Sequence, residues 1–506
     1  METVVTPSAV GKFPERWSGD ATPVTVSVRS FVEFFSESSL PVAVDTYQRG
    51  FVWNLEKVTQ LAEDLVSHEE LGDKAPPYYM GTVLVHRSPA KDRRFIIDGQ
   101  QRLTALSILY RQLTGCLPEQ FAMTYSSRSA RRIRSAAKTF QHLRKPGKDI
   151  FKRIRFTIIE VDRVDLAFTF FDTQNNRGVP LHATDLLKAY HLRAIEGDAR
   201  ERLQTLCASG WEQVQQSRTA LGPEAEVKDS APRLFNLFLW RARCWTGKQL
   251  GPGGHDALME AFQKDTWPLT GPEDGIPLYR SRQNRLGTHL RLGEGGQRKI
   301  QTHPITLSEN AADLPFAIRQ PVHRGIGFFL YAEKYGALLH WLLAEKANSA
   351  ERRNFQRIYT ELMGANSIYL REIFVLGALM YADQFGEERL WEFALWYEHA
   401  LGAIRLVKQQ VRHEAAKNFF RDDALNLLDV IAGAYLPDQV IGHLKRHHRH
   451  DRIYADEQIE AGKGVQGRYK QAVLSYFKTP SPSLKGKAGW IEQLVNMDRV
   501  IVKSGV

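Results

Sequence analysis

The sequence predicts an α+β N-terminal domain followed by a mainly α-helical C-terminal region. The first observation is a junction, in which residues 94–97 favour a strand, Asp98-Gly99 forms a turn, and leucines then recur at helical spacing. These leucines are Leu103, Leu106, Leu109 and Leu113. The second observation is that beyond about residue 200 the apolar residues recur at the spacing of amphipathic helices, which pack mostly against one another.

These patterns divide the chain of 506 residues into four segments. Residues 1–24 form an N-terminal segment, 25–200 the α+β domain, 201–310 a helical linker domain and 311–506 a helical C-terminal domain. A basic helical insertion, 126–156, lies within the α+β domain. Residues 266–307 are rich in Gly, Pro and polar residues, which predicts an irregular connection or a small β-rich insertion.

Composition favours a cytoplasmic protein. Apolar residues make up 43% of the chain and charged residues 25%, as in folded soluble proteins. The three cysteines, Cys116, Cys207 and Cys244, form no CxxC pair, which fits a reducing compartment. The first twenty residues have no apolar stretch typical of a signal peptide, and the longest apolar run, 373–382, is too short to cross a bilayer. We therefore expect no membrane partner.

Four polar residues lie at the strand-to-helix junction: Asp98, Gln100, Gln101 and Arg102. The first turn of a helix offers unpaired backbone N–H groups and the positive end of its dipole, and such a place binds phosphate. Gly99 lets the backbone approach a ligand closely, and Arg102 adds charged donors. The alternative is a simple turn in which Asp98 caps the helix.

Two other segments carry polar residues beside predicted helices. In residues 47–53, Arg49 either binds phosphate or stacks on Trp53, and Asn54 is placed to cap the following helix. Residues 175–178 form a turn signature, and Thr184 is the predicted N-cap of the next helix. Asp185 and Lys188 lie three residues apart on that helix, where an exposed ion pair is the simplest interpretation.

The run Asp98-Gly-Gln-Gln-Arg102, followed by Leu103-Thr-Ala-Leu106, resembles the signature of the GmrSD-type N-terminal domain. That domain occurs in bacterial anti-phage restriction proteins such as the GmrSD and SspE enzymes. Residues 47–53 and 171–188 resemble two further blocks of the family, in the expected order, and 78–85 resembles its second strand. The resemblance covers roughly residues 25–200.

The resemblance implies a ParB/sulfiredoxin-like fold whose loops gather around a nucleoside triphosphate. The residues it places in catalysis are Asp98, Gln100, Gln101 and Arg102, and those it places in nucleotide binding are Arg49, Gly99, Thr104, Asn175 and Lys188. Asp98 would hold Mg²⁺ or orient water, and a glutamine would position the attacking water. Asp98→Ala or Arg102→Ala should then abolish nucleotide turnover and leave the protein folded.

Positive charge is concentrated in one segment. Between residues 126 and 156 there are eleven Lys and Arg residues against the single acid Asp149. The predicted DNA contacts are Arg128, Arg131, Arg132, Arg134, Lys138, Arg144, Lys145 and Lys148. DNA, with modified phage DNA as one candidate, is the expected partner, and replacing Arg131, Arg132 and Arg134 together should flatten the salt dependence of binding. The alternative is a solvated basic face.

A nuclease site is not recognisable in the sequence. Four histidines between His443 and His450 are crowded among arginines, which favours a basic surface over a metal site. There is no HNH pattern, no PD-(D/E)xK series and no Walker A loop. We therefore expect a nucleotide-hydrolysing, DNA-sensing subunit that acts with a separate effector or nuclease subunit, with the oligomeric state left open. The alternatives are a non-catalytic DNA- or protein-binding adaptor and a self-sufficient nuclease with a divergent C-terminal site.

Overall fold

The computed structural model describes residues 24–44, 50–72, 74–88, 91–125, 127–163, 182–216, 229–269, 275–279, 288–292, 297–302, 307, 310–446 and 448–504. The chain divides into two compact units, Met1–Pro180 and Leu181–Val506. This division comes earlier along the chain than the boundary at residue 200 that the sequence suggests. Each unit is described by itself.

Among the described residues of the first unit, five strands form one mixed sheet. They are β1 (Val24–Ser30), β2 (Val42–Val44), β3 (Tyr78–Ser88), β4 (Arg93–Asp98) and β5 (Ile154–Val161), in the order β1-β5-β3-β4-β2. β5 pairs parallel with β3 and antiparallel with β1, and β4 pairs antiparallel with β3 and parallel with β2. The central strands β3 and β4 carry buried residues such as Val83, Val85 and Ile96, which form the core.

Helices cover this sheet. They are α1 (Phe31–Ser36), α2 (Leu55–Glu70), α3 (Gln100–Thr114), α4 (Ser127–His142) and α5 (Ile150–Arg153). The Asn54 side chain accepts a hydrogen bond from the backbone N–H of Lys57 (3.0 Å), so the predicted N-cap of α2 is confirmed. Leu103, Leu106 and Leu109 of α3 are fully buried, which confirms the helical spacing predicted there.

The second unit is mainly helical. Its α-helices are α6 (Ala183–Arg193), α7 (Arg200–Gln216), α8 (Ala231–Arg233), α9 (Trp240–Cys244), α10 (His255–Met259), α11 (Ile326–Leu343), α12 (Ala350–Arg357), α13 (Ile368–Phe385), α14 (Leu390–Val407), α15 (His413–Arg421), α16 (Leu427–Gly433), α17 (Pro437–Lys445), α18 (His448–Asp456), α19 (Gly464–Phe477) and α20 (Lys487–Ser504). The π-helical turns are Leu234–Leu239, Glu260–Lys264 and Ile358–Leu362, and the 3₁₀ turns are Ala311–Asp313 and Met363–Ala365. The strands are β6 (Thr266–Trp267), β7 (Thr288–Leu292), β8 (Arg298–Thr302) and β9 (Val322–His323).

The predicted fold class, an α+β N-terminal part followed by a mainly helical region, is therefore confirmed. The apolar run 373–382 is buried within α13. Across the part of the chain that the structure describes, no helix combines the length and apolarity needed to cross a bilayer.

Two local predictions are wrong. Thr184 does not cap α6, because the helix begins at Ala183 with His182 at the N-cap, and the Thr184 hydroxyl is buried without a hydrogen-bond partner in the described residues. The histidine cluster is not a basic surface at His443 or His450, which are each only 6% exposed because they lie on the inner faces of α17 and α18. His443 Nε2 lies 3.2 Å from a carboxylate oxygen of Asp423.

Candidate functional site

The junction of β4 and α3 forms a tight corner, which we define as residues 98–102. Gly99 has φ +94°, and a Cβ there would lie 2.9 Å from Cγ2 of Val83, so the turn requires glycine. No side chain caps α3, and the interpretation of Asp98 as a cap is therefore wrong. Its carboxylate is 40% exposed instead. The corner thus leaves the first N–H groups of α3 without a side-chain cap.

Gln101 ties this corner to the segment that precedes α2. Its Oε1 accepts a hydrogen bond from the N–H of Val52 (2.8 Å), and its Nε2 donates to the carbonyl of Gly50 (3.0 Å). The N–H of Phe51, between them, donates to the Ser129 hydroxyl of α4 (3.0 Å). Two of the sequence blocks that resemble the family are therefore joined physically by one glutamine amide.

Arg102 is committed to strand β3. Its two terminal nitrogens donate to the carbonyls of Met80 and Thr82, each at 2.7 Å, on either side of Gly81. The pairing of β3 with β5 shifts register here, so these carbonyls sit at an irregularity of the sheet. The guanidinium also lies 3.5 Å from the Asp98 carboxylate, with a quarter of the side chain exposed. Arg102 holds the irregularity in place and still offers charge to the corner.

Gln100 differs from its neighbour. It is 5% exposed, and its side-chain oxygen has no hydrogen-bond partner within the described residues. Buried polar atoms without a partner are rare and call for an explanation, of which a ligand is one. The amide can present either its oxygen or its NH₂ group to a ligand by a flip of the side chain.

Thr104 supports the corner from within. Its hydroxyl donates to the carbonyl of Gln100 (2.7 Å) and lies 2.8 Å from the Tyr125 hydroxyl. Burial raises the pKa of Tyr125, so this phenol is neutral at physiological pH. Because the Thr104 hydroxyl is used internally, its position supports a role in orienting Gln100.

Three further residues are predicted to bind nucleotide. Arg49 and Asn175 lie outside the described residues. Lys188 belongs to the second unit, where it is 5% exposed on α6 and not in an exposed ion pair with Asp185. Burial lowers its pKa, against the opposing effect of the carboxylates of Glu212, Asp185 and Asp229.

A protein-held metal centre is not found among the described residues, where no three His, Cys, Asp or Glu side chains are grouped suitably. Asp98 is one carboxylate, with Arg102 close beside it. Mg²⁺ bound to nucleotide phosphates often uses only one or two protein carboxylates. The corner therefore fits an ion delivered with a nucleotide better than a dedicated metal site.

The predicted basic insertion, residues 126–156, contains α4 and α5, but residues 154–156 begin β5, which lies between β1 and β3, so that end of it is part of the sheet and not an insertion. The two faces of α4 differ. Arg131, Arg134 and Lys138 are exposed at positions i, i+3 and i+7, and we call these three residues the basic ridge. The opposite face buries Ala136 and Phe140 in the core. The ridge thus presents three long cations on a rigid element.

The other predicted DNA contacts are placed differently. Arg132 donates to the carbonyl of Val52 (3.2 Å), and Arg144 forms an ion pair with Glu70 (2.6 Å). Lys145 is partly buried and Lys148 exposed, between α4 and α5. The Arg128 side chain lies outside what the structure describes.

Sequence reasoning missed two contributors. Gly81 makes room for Arg102, and a glycine inside a predicted strand is a recognised signal of such an irregularity. Ser129 binds the N–H of Phe51 across 78 residues of sequence, and no local pattern reveals that contact.

Comparison with known families gives two matches along the chain. Residues 203–461, slightly more than half of the chain, match the family of unknown function DUF7834. Residues 31–192 match the family described as GmrSD restriction endonuclease, N-terminal domain. The second match includes the corner, the basic ridge and all but the last residue of helix α6. No curated protein matches the chain.

Proposed function

We propose that this chain, which belongs to the family of unknown function DUF7834 and carries a GmrSD-type N-terminal domain, is a component of a bacterial anti-phage restriction system. Within it, the chain is the nucleotide-hydrolysing, DNA-sensing subunit and acts with a separate effector. The observation that carries this proposal is the corner. There the partly exposed carboxylate of Asp98 and the buried amide of Gln100 flank Gly99, at the start of a helix that no side chain caps.

The chemistry follows from those groups. The N–H groups at the start of α3 bind a phosphate of the nucleotide, and Arg102 adds positive charge beside it. Asp98 would hold a Mg²⁺ ion that arrives with the nucleotide and neutralises phosphate charge, or would orient the attacking water, and Gln100 would bind the nucleotide or that water. Because phosphoryl transfer requires mainly placement and charge neutralisation, few side chains suffice. Gln101 and Arg102 fix the backbone on which this depends.

The basic ridge supports the DNA-binding part of the proposal. Three exposed cations on one helix face match a phosphate backbone and give salt-dependent, sequence-independent binding. Ser129 and Arg132, on the same helix, hold the segment 50–52 that Gln101 also holds. DNA on the ridge is thereby linked to the nucleotide corner through one short segment.

A second candidate is a non-catalytic adaptor that binds nucleotide or DNA without hydrolysis. It is favoured by the commitment of Gln101 and Arg102 to backbone groups, which leaves fewer side chains for catalysis. In this case the corner binds a phosphate group but does not catalyse hydrolysis.

Phosphate release from each of the four ribonucleoside triphosphates, with Mg²⁺ and with or without duplex DNA, tests the proposal. We expect turnover in the wild type and a loss of at least about 100-fold in Asp98→Asn. Asp149→Asn, which removes an exposed carboxylate elsewhere in the unit, should behave as the wild type. Nucleotide binding without turnover would favour the adaptor, and equal turnover in Asp98→Asn would rule out the corner as the catalytic site.

A further inference from the structure

Strands β7 and β8 of the second unit form a two-stranded antiparallel sheet, which we call the hairpin. Leu290 pairs with Ile300 and Arg291 pairs with Lys299. A two-stranded hairpin by itself is marginally stable in water, and it needs a covering surface or a partner to be firmly held. The hairpin lies within the match to DUF7834 and outside the GmrSD-type domain.

One face of the hairpin is cationic. Arg291 and Lys299 stand opposite each other on neighbouring strands and both are exposed, an arrangement in which like charges repel. Neither strand contains an acidic residue. Arg298 is also exposed, but it pairs with Leu292 on the opposite face. Along the sequence, residues 279–302 contain six basic residues and one acid. The basic residues are Arg280, Arg282, Arg285, Arg291, Arg298 and Lys299, and the acid is Glu294.

The other face of the hairpin is apolar at its centre. Successive residues of a strand point to opposite faces, so the pair Leu290 and Ile300 lies opposite the pair Arg291 and Lys299. Leu290 is 72% exposed and Ile300 is 73% exposed. The hairpin therefore presents two repelling cations on one face and exposed apolar area on the other, and a polyanion that lies against the cationic face relieves the repulsion.

We propose that this hairpin is a second DNA-binding element, a β-ribbon that enters a groove of duplex DNA. The major groove admits a two-stranded ribbon, and Arg and Lys side chains are the commonest donors to guanine there. The cationic face enters the groove, where Arg291 and Lys299 contact phosphates and base edges, whereas Leu290, Ile300 and Arg298 lie on the opposite face. The proposal extends the DNA-binding part of the proposed function to the second unit and does not depend on nucleotide hydrolysis.

The test is the affinity of the full chain for fluorescein-labelled duplex DNA, measured by anisotropy between low and moderate salt. The double variant Arg291→Ala/Lys299→Ala should bind more weakly. The slope of log affinity against log salt should fall by about 2, since each phosphate contact contributes about 0.9. The matched control, Lys264→Ala/Lys463→Ala, removes two exposed cations of the same unit that pair with Glu260 and Glu460, and should keep the wild-type slope.

A charge-preserving exchange, Arg291→Lys/Lys299→Arg, should retain the wild-type slope, which separates loss of charge from loss of the hairpin. A wild-type slope in the double alanine variant would overturn the proposal. So would a double alanine variant of the full chain that loses more affinity for single-stranded RNA or for an acidic polypeptide than for duplex DNA. A variant of the basic ridge, measured in parallel, separates failure of the hairpin proposal from failure of the proposed function. If the slope falls in the ridge variant but not in the hairpin variant, the hairpin proposal fails and the proposed function stands.

Discussion

The Nη1 atom of Arg102 lies only 2.3 Å from the position that a Cβ on Gly81 would occupy. The two residues belong to helix α3 and strand β3, and the glycine has φ +97°. The missing side chain lets the guanidinium reach the carbonyls of Met80 and Thr82 on both sides of the glycine. The arginine of the corner and the glycine of the strand are therefore one structural unit.

Gly81→Ala should destabilise the first unit by about 2–4 kcal/mol. Its Cβ would displace Arg102, and its backbone conformation is unfavourable for any residue with a side chain. The measurement is urea unfolding of the full chain, monitored for the transition of the first unit.

Gly72→Ala is the matched control for this substitution. Gly72 also has a left-handed backbone, with φ +79°, but nothing lies within 4 Å of a Cβ there. This substitution should lower the free energy of unfolding by only about 1 kcal/mol, because only the backbone conformation is unfavourable. Equal losses of unfolding free energy in Gly81→Ala and Gly72→Ala would show that the contact with Arg102 does not contribute to stability.

The two adjacent glutamines should respond in opposite ways to replacement by methionine. Gln101→Met leaves the N–H of Val52 and the carbonyl of Gly50 without their partner, and should lower stability by about 2 kcal/mol. Gln100→Met removes a buried oxygen that has no partner in the described residues, so stability should stay the same or rise by up to about 1 kcal/mol. Thermal unfolding of both variants checks this.

Gln100→Met should also lower the affinity for nucleotide. Gln100→Met should weaken the binding of a non-hydrolysable triphosphate about tenfold, equivalent to about 1.4 kcal/mol, if the amide contacts the ligand. Titration calorimetry with Mg²⁺ gives the comparison. An unchanged affinity in Gln100→Met would mean that the buried amide faces no nucleotide.

The general form of the corner is predictable from sequence because its signals are local. The strand, the Asp98-Gly99 turn and the leucines of α3 are all adjacent, and the structure has each of them. Asn54 was predictable as a cap for the same reason. A local sequence pattern indicates hydrogen bonds between residues a few positions apart. The strand, the turn, the start of α3 and the cap of α2 depend mainly on such bonds.

The assignment of side chains at the corner was not predictable in this way. Whether Gln100 or Gln101 faces a ligand depends on segment 50–52, which is about fifty residues away in sequence. Thr184 failed as a cap because α6 begins at Ala183, which leaves Thr184 inside the helix with its side chain buried. The buried positions of His443 and His450 likewise depend on helices that pack together from distant parts of the chain.

On helix α4 we expect the basic ridge and Arg132 to have separable effects. Arg131→Ala/Arg134→Ala/Lys138→Ala should lower the slope of log affinity for duplex DNA against log salt by about 2.7, because three exposed cations are removed. Arg132→Ala should change this slope by less and should reduce instead the stimulation of nucleotide turnover by DNA, since Arg132 holds the carbonyl of Val52. Salt-dependent anisotropy and phosphate release together separate the two. An unaltered slope in the triple variant would show that the ridge does not contact DNA.

The second unit should lose stability in acid through His191. Its ring is fully buried, where Nε2 donates to the carbonyl of Phe262 (2.7 Å) and Nδ1 accepts from the N–H of Gly325 (3.2 Å). Burial lowers the pKa of His191 to about 3, whereas an unfolded histidine has a pKa near 6.5. The unfolded state therefore binds one more proton between these values.

This contribution to stability is complete above about pH 6.5 and falls by up to about 1.4 kcal/mol per pH unit as the pH drops below it. His191→Gln should be less stable than the wild type at pH 7.5, because the ring stacks on Phe328 at 3.8 Å, and the difference should shrink towards pH 4.5. Urea unfolding across this range gives the comparison, with the exposed His255→Gln as the control. A constant difference between wild type and His191→Gln would mean that His191 is charged in the folded protein, which contradicts its two hydrogen bonds, since an imidazolium cannot accept the N–H of Gly325.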